Sequence, residues 1–301
     1  MNLDFDLTQI NTVEFGVGRE DGVNQTFCLI AVGGDVQTAL SEMANATWNG
    51  MHVLNSNPSE YMPSEKYLSH EYVYLPIDHP LADRARELHQ ATNLETDTNA
   101  LKHPENVFCY FARFTDKRGR RLTGLRRASQ FKGVLKSRLI RLASDALKLI
   151  EDRVFKLDSD FDLLVDAKNV HILRVSSFES VGKLQKAVLA AVPDNIKAIQ
   201  LDIEFVNFES ILSFASKHPR AARYLASIRS QKETNGIDKA ALKKLCKNTG
   251  VEIMEVKGKV TVLEGHVMGF LEVLDRRRYE VELVKDTPER FKAASRQKIE
   301  S

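Results

Sequence analysis

The sequence predicts an α+β protein, built from mixed sheets of short strands with several helices and no doubly wound βαβ repeat. Three observations predict it. Apolar runs of strand length, such as Phe27–Val32 and Val107–Phe114, recur at unequal spacings. Helical patterning is concentrated in residues 194–249, with Pro219 and Gly236 as punctuation. The chain then returns to β-like runs near its end, so strands and helices do not alternate regularly. With 301 residues it can bury a sizeable core, in one large domain or two smaller ones.

Phe27–Val32 reads as a buried strand ended by Gly33-Gly34, and Asp35 is placed to cap a helix running to about Thr47. Asn55–Ser64 is loop-like in composition. Tyr72–Leu75 suits a short strand stopped by Pro76, and Leu81–Gln90 a helix. After the Val107–Phe114 strand, Lys117–Arg121 reads as a hairpin tip with Gly119 as its turn residue. Leu135, Leu139, Leu142, Ala146 and Leu149 recur at three- and four-residue steps, which predicts a helix from about Ser129 to Glu151.

Three β-like runs follow: Val154–Leu157, Phe161–Val165 and Val170–Val175. Asp166-Ala167-Lys168-Asn169 has the composition of a turn between the last two. Ser176 or Ser177 could then cap a helix through Val192. Val251–Val256, Val260–Leu263 and Tyr279–Val284 are the late strands, followed by a polar tail.

Charge divides the chain more sharply than composition does. Residues 1–110 hold five basic and sixteen acidic side chains, a formal −11, and the remainder carries +13, giving the net +2. The sign change places a domain boundary near residue 105: an acidic α+β region over 1–104, suited to a partner, and a basic α+β domain over 105–301. Within the second, residues 117–141 contain ten Lys or Arg and no Asp or Glu. Lys117, Arg118, Arg120, Arg121, Arg126, Arg127, Lys132, Lys136, Arg138 and Arg141 therefore become candidate nucleic-acid contacts. Such cations neutralise phosphates and release counterions without reading base sequence. A solvated basic face, or a dock for an acidic protein, is the competing reading. Lys243, Lys244 and Lys247 could extend the track, or simply be a soluble helix face. Of Arg276, Arg277 and Arg278, at most two can share one surface.

Catalytic signals are weak. Asp166-Ala167-Lys168 after an apolar strand has the spelling of a nuclease metal-binding strand, with Asp158, Asp160 and Asp162 as possible further ligands. Ordinary turn chemistry explains the same residues and is favoured. Asp202 and Glu204 read as a helix surface or a paired buried acid. His79, His103 and His218 each precede proline and belong at turns or element ends. There is no phosphate-binding loop, no nucleophile elbow and no Cys-x-x-Cys pair; Cys28, Cys109 and Cys246 are scattered, which suits a reducing compartment. No cofactor is expected. The N-terminus lacks signal-peptide character, and no run reaches the roughly 18–20 apolar residues of a membrane span.

From Leu122 onward the chain resembles the KwaB-like family. The resemblance is carried by the basic stretch, by FKLDSDFDLLVDAKNVHILRVSSFESV (155–181) ending in Phe178-Glu179, by the helix after it, and by RRRYEVELV (276–284). It covers roughly residues 105–285. It implies a cytoplasmic-side DNA-binding component of the bacterial Kiwa anti-phage system, which obstructs events on phage DNA without cutting it. It also implies association with a small KwaA-like membrane protein at the inner face of the membrane, and a homodimer or larger assembly. The resemblance fixes no DNA contacts residue by residue, so the ten candidates rest on charge. A metal-dependent nuclease using Asp166 and Lys168 is the alternative.

Overall fold

The computed structural model describes residues 2–22, 24–54, 57–67, 71–100, 106–128, 140–143, 146–149, 157–235 and 237–294. For 140–143, 146–149 and 232–235 it describes the backbone only. Two compact units emerge: residues 1–60 with 68–183, and residues 61–67 with 184–301. The fold is α+β, as expected.

The first unit is organised by an eight-stranded sheet. Its elements are β1 (Ile10–Asp21), β2 (Asn24–Ile30), α1 (Gly34–Leu54), β3 (Ser59–Glu60), β4 (Val73–Pro76), α2 (Asp83–Gln90), β5 (Val107–Asp116), β6 (Arg121–Arg127), β7 (Ile140–Ala143), β8 (Ala146–Leu149), β9 (Leu163–Val165), β10 (Asn169–Ile172) and α3 (Val175–Val181). Strand order is β2-β1-β5-β6-β9-β10-β4-β3, antiparallel throughout except β3 with β4.

Residue alternation along β5 sorts the two faces. Tyr110, Ala112 and Phe114 join Phe15, Val17 and Leu122 in a core packed with Leu40, Met43, Ala44 and Met51 of α1. Cys109, Phe111 and Arg113 take the other side. Gly16 of β1 must be glycine: a Cβ there would collide with the Phe111 ring and with the Cys28 carbonyl oxygen.

Strand β1 was not anticipated, although Val13, Phe15 and Val17 alternate, because the glycines between them weaken the apolar signal. It pairs with β5, so the expected boundary near residue 105 marks a change of charge inside one sheet. The helix expected over 129–151 is corrected. Residues 129–139 lie outside the described residues, and β7 and β8 form an antiparallel hairpin, with Ile140 opposite Leu149 and Arg141 opposite Lys148. Ile140-Arg141-Leu142 and Leu147-Lys148-Leu149 alternate with period two, and that local pattern prevails over the longer helical one. Of the Val154–Leu157 run, 154–156 likewise lie outside the described residues.

The second unit contains α4 (Leu184–Ala190), α5 (Val192–Gln200), α6 (Phe208–Lys217), α7 (Pro219–Asn235), α8 (Lys239–Asn248), β11 (Ile253–Val256), β12 (Lys259–Val262), α9 (Val267–Leu274), β13 (Arg278–Val284) and β14 (Thr287–Lys292). Helix α7 packs against α4, α5, α6 and α9, burying Ala221, Tyr224, Leu225 and Ile228. The single helix expected from Ser176 to Val192 is split after Val181, where Lys183 adopts φ 49°. The polar tail forms strand β14, paired with β13. Asp202 and Glu204 lie in the connection after α5, not on a helix.

Arg277 is buried within this unit, 1% exposed. Its Nε donates to Asp275 at 2.6 Å, its Nη2 pairs with Glu65 at 2.9 Å, and its guanidinium stands 5.4 Å from the Tyr224 ring. Arg278 pairs with Glu272 at 2.9 Å. The three consecutive arginines thus have three different fates, with only Arg276 left exposed.

Candidate nucleic-acid interface

The basic run begins at the β5–β6 hairpin tip, and Asp116 builds that tip. Its Oδ1 accepts from the amides of Arg118 and Arg120 at 2.8 and 2.9 Å, and its Oδ2 accepts from Arg120 Nε at 2.8 Å. Gly119, at φ 77°, closes the turn by donating to the Asp116 carbonyl. Burial opposes ionisation of Asp116, but the hydrogen bonds from Arg120 and Arg118 outweigh it and hold its carboxyl below the usual range. The result is a rigid turn that leaves the Lys117 and Arg118 side chains exposed.

The next arginines do different work. Arg120 spans Asp116 and Asp4, the latter at 3.8 Å. Arg121 Nη1 donates to the carbonyls of His89 and Ala91 at 2.9 and 3.1 Å, satisfying the C-terminal end of α2. Arg113 adds a 2.6 Å hydrogen bond to the same Ala91 oxygen. Burial, reinforced by the Arg121 charge, pushes His89 down to about 4.

Arg126 is more heavily engaged. Its guanidinium reaches Asp158 at 3.2 Å, Asp160 at 2.7 Å and Asp162 at 3.1 Å. Arg174 closes the cluster from α3's N-terminal side, at 2.9 Å from Asp160 and 3.0 Å from Asp162. Tyr110 donates to Asp158 at 3.0 Å, and the Arg127 amide donates to Asp162 at 2.8 Å. Three carboxylates therefore hold two guanidiniums, and Arg126 is not available to a phosphate. Reversing charge at Arg121 or Arg126 would break internal contacts.

Arg127 keeps a half-buried side chain near the end of β6. Lys132, Lys136 and Arg138 lie outside the described residues, and Arg141 lies on β7. The structure thus brings Lys117 and Arg118 together at one exposed tip and turns Arg121 and Arg126 inward. Sequence reasoning missed Arg174, whose signal was the acid-rich Asp158-Ser159-Asp160-Phe161-Asp162 segment, which needed cationic partners.

Asp166 is fully buried and shapes its turn. Oδ1 accepts from the amides of Lys168 and Asn169 at 2.8 and 2.7 Å; Oδ2 accepts from the Asp4 amide at 2.9 Å and lies 3.0 Å from His171 Nε2. His171 Nδ1 lies 2.7 Å from the Tyr72 hydroxyl, so a proton on Nε2 lets both contacts be made. Burial works against the Asp166 charge, yet these hydrogen bonds bring its pKa to about 2. Lys168 points away, with its side chain 71% exposed and paired to Asp4. Both Asp166 oxygens are committed to protein donors, Lys168 diverges, and Asp158, Asp160 and Asp162 are committed to arginines. Among the described residues no group of three or more His, Cys, Asp or Glu side chains is placed to hold a metal ion. Burial raises the thiol pKa of Cys28, Cys109 and Cys246.

Residues 105–283 match the family described as Kiwa protein KwaB-like. The chain belongs to the KwaB-like family. The match covers more than half of its length and confirms the resemblance read from residues 155–181 and 276–284. Family membership associates the chain with Kiwa anti-phage defence. The matched segment starts at β5 and runs through both compact units. No curated protein and no solved structure matches the chain. Among the described residues, no helix is long and apolar enough to cross a membrane.

Proposed function

We propose that this chain is a non-enzymatic DNA-binding effector of anti-phage defence, acting on incoming phage DNA with little sequence preference. It works beside a KwaA-like membrane partner that recruits it to the inner face of the membrane, as a homodimer or larger assembly. The acidic surface contributed by residues 1–104 is the side offered to a protein partner. The observation that carries the reading is the β5–β6 tip, where Asp116 fixes a turn that presents Lys117 and Arg118 to solvent at the start of a run without acids. Point cations on a rigid projection suit phosphate contact, and no base-reading motif accompanies them. Membership of the KwaB-like family supports the defence setting.

The test is duplex binding across a salt series, with and without Mg²⁺, followed by a denaturing gel. Steep salt dependence with intact DNA is expected. In the Lys117→Glu/Arg118→Glu variant the log–log salt slope should fall by about two, one for each phosphate that the tip no longer neutralises. An unchanged slope in a folded variant would remove the tip from the interface. Mg²⁺-dependent cleavage would overturn the non-enzymatic reading.

A further inference from the structure

In the second unit, α7, α8 and α9 part around a cleft of about 210 Å³. Ile228, Ile237, Leu242, Leu245 and Val273 give it apolar walls, and the exposed Arg276 lines its mouth. The volume is informative. An apolar cavity of about 150 Å³ accepts benzene, whereas pockets for drug-sized ligands begin near 300 Å³. This cleft suits a single ring or a short branched chain.

Arg276 lines the cleft at the end of α9. It sits just past the end of α9 at φ 57°, with its amide bonded to the Val273 carbonyl and the Arg277 amide bonded to that of Glu272. Glycine is the usual residue at such a helix end, because a Cβ in the left-handed region is strained. A long cationic residue stands there instead, as Lys183 and Lys257 do at other turns. The guanidinium makes no hydrogen bond or ion pair among the described residues. Two carboxylates lie nearby, and one of them, Asp238, lines the cleft with Gln231. Arg277 neutralises Asp275, which also accepts from Gln231 Nε2 at 2.8 Å, and Asp238 Oδ1 caps α8 by accepting from the Ala240 and Ala241 amides.

We propose that the cleft binds a small amphiphilic monocarboxylate, an aromatic or short branched-chain acid. Its apolar end fills the space between the helices, and its carboxylate pairs with Arg276. A planar guanidinium matches a carboxylate in two parallel hydrogen bonds, which an ammonium group would not reproduce.

The test is titration of the full chain with 3-phenylpropionate, read by NMR of isotope-labelled Ile, Leu and Val methyls, with 3-phenylpropan-1-ol as the uncharged arm. Saturable shifts at Ile228, Leu242 and Val273 are expected, with the alcohol about tenfold weaker or worse. Arg276→Gly relieves the backbone, so its melting temperature should hold or rise while the preference for acid over alcohol disappears. Ala241→Phe, which fills the cleft, should abolish the response to both probes. Equal affinity for acid and alcohol, a preference that survives Arg276→Gly, or no methyl response at the solubility limit of the acid would each overturn the proposal. Shifts produced only by an acidic phenylalanine-containing peptide would also overturn it, and would assign the cleft to a protein segment.

Discussion

Lys117 and Arg118 at the β5–β6 tip and Arg121 and Arg126 along β6 belong to one uninterrupted basic run, yet they have opposite surroundings. The first two project from a turn tied down by Asp116. The other two point into the unit, onto the end of α2 and onto three aspartates. The difference shows that a local absence of acids says little about neutralisation in space. The acids that meet this run are at 4 and 116, before it, and at 158–162, more than thirty residues beyond Arg126.

That contrast can be tested from its strongest case downward. The second unit repeats the inward arrangement at Arg277, whose partners Asp275 and Glu65 are 0% and 8% exposed at their side chains. Arg277→Met should cost about 3–5 kcal/mol, because it takes the shared cation away from two buried carboxylates. Urea denaturation would register this as a lower midpoint. Arg126→Ala removes one of the two guanidiniums that hold Asp158, Asp160 and Asp162, while Arg174 and water still reach that cluster, so a loss of about 2–3 kcal/mol is expected. If stability were unaffected by Arg126→Ala, the inward half of the comparison would fail.

Protonation offers a further probe. His89 falls from its ordinary 6.5 to about 4. Between those values the unfolded chain binds a proton that the folded chain refuses, so stability declines as pH falls through this window. The loss attributable to His89 is about 3 kcal/mol, and His89→Gln should flatten the profile there. Asp166 acts lower. With its folded pKa near 2, against an ordinary 3.8, its contribution is complete above about pH 4 and is lost below that. Arg121→Met should have a smaller effect, about 1–2 kcal/mol, since it frees the His89 carbonyl while Arg113 keeps its bond to that of Ala91.

Much of the fold was legible. Strands β5, β9 and β10, the hairpin tip at Gly119, the helical stretch after residue 194 and the late strands all announce themselves through period and punctuation. Strand β1 did not, because Gly16 and Gly18 are small for the sake of Phe111 and Cys109, which belong to a distant strand. The hairpin at β7–β8 was hidden because its leucines fit both a helical and an alternating spacing. The turn role of Asp166 was readable from Asp-x-x-Asn, whereas its bond to His171 depends on strand pairing. For the candidate interface, the sequence located the cations but not their partners. Charge sign is local information, and ion pairing is a property of topology.

The most direct measurement pairs two readouts on two variants: melting temperature and duplex affinity at moderate salt for Lys117→Glu/Arg118→Glu and for Arg126→Ala. The tip variant should melt like the native chain and lose at least about tenfold in DNA affinity. Arg126→Ala should melt lower while its folded fraction keeps near-native affinity. A tip variant that binds DNA normally, together with a stable Arg126→Ala that does not, would contradict the account and move the interface to the body of β6.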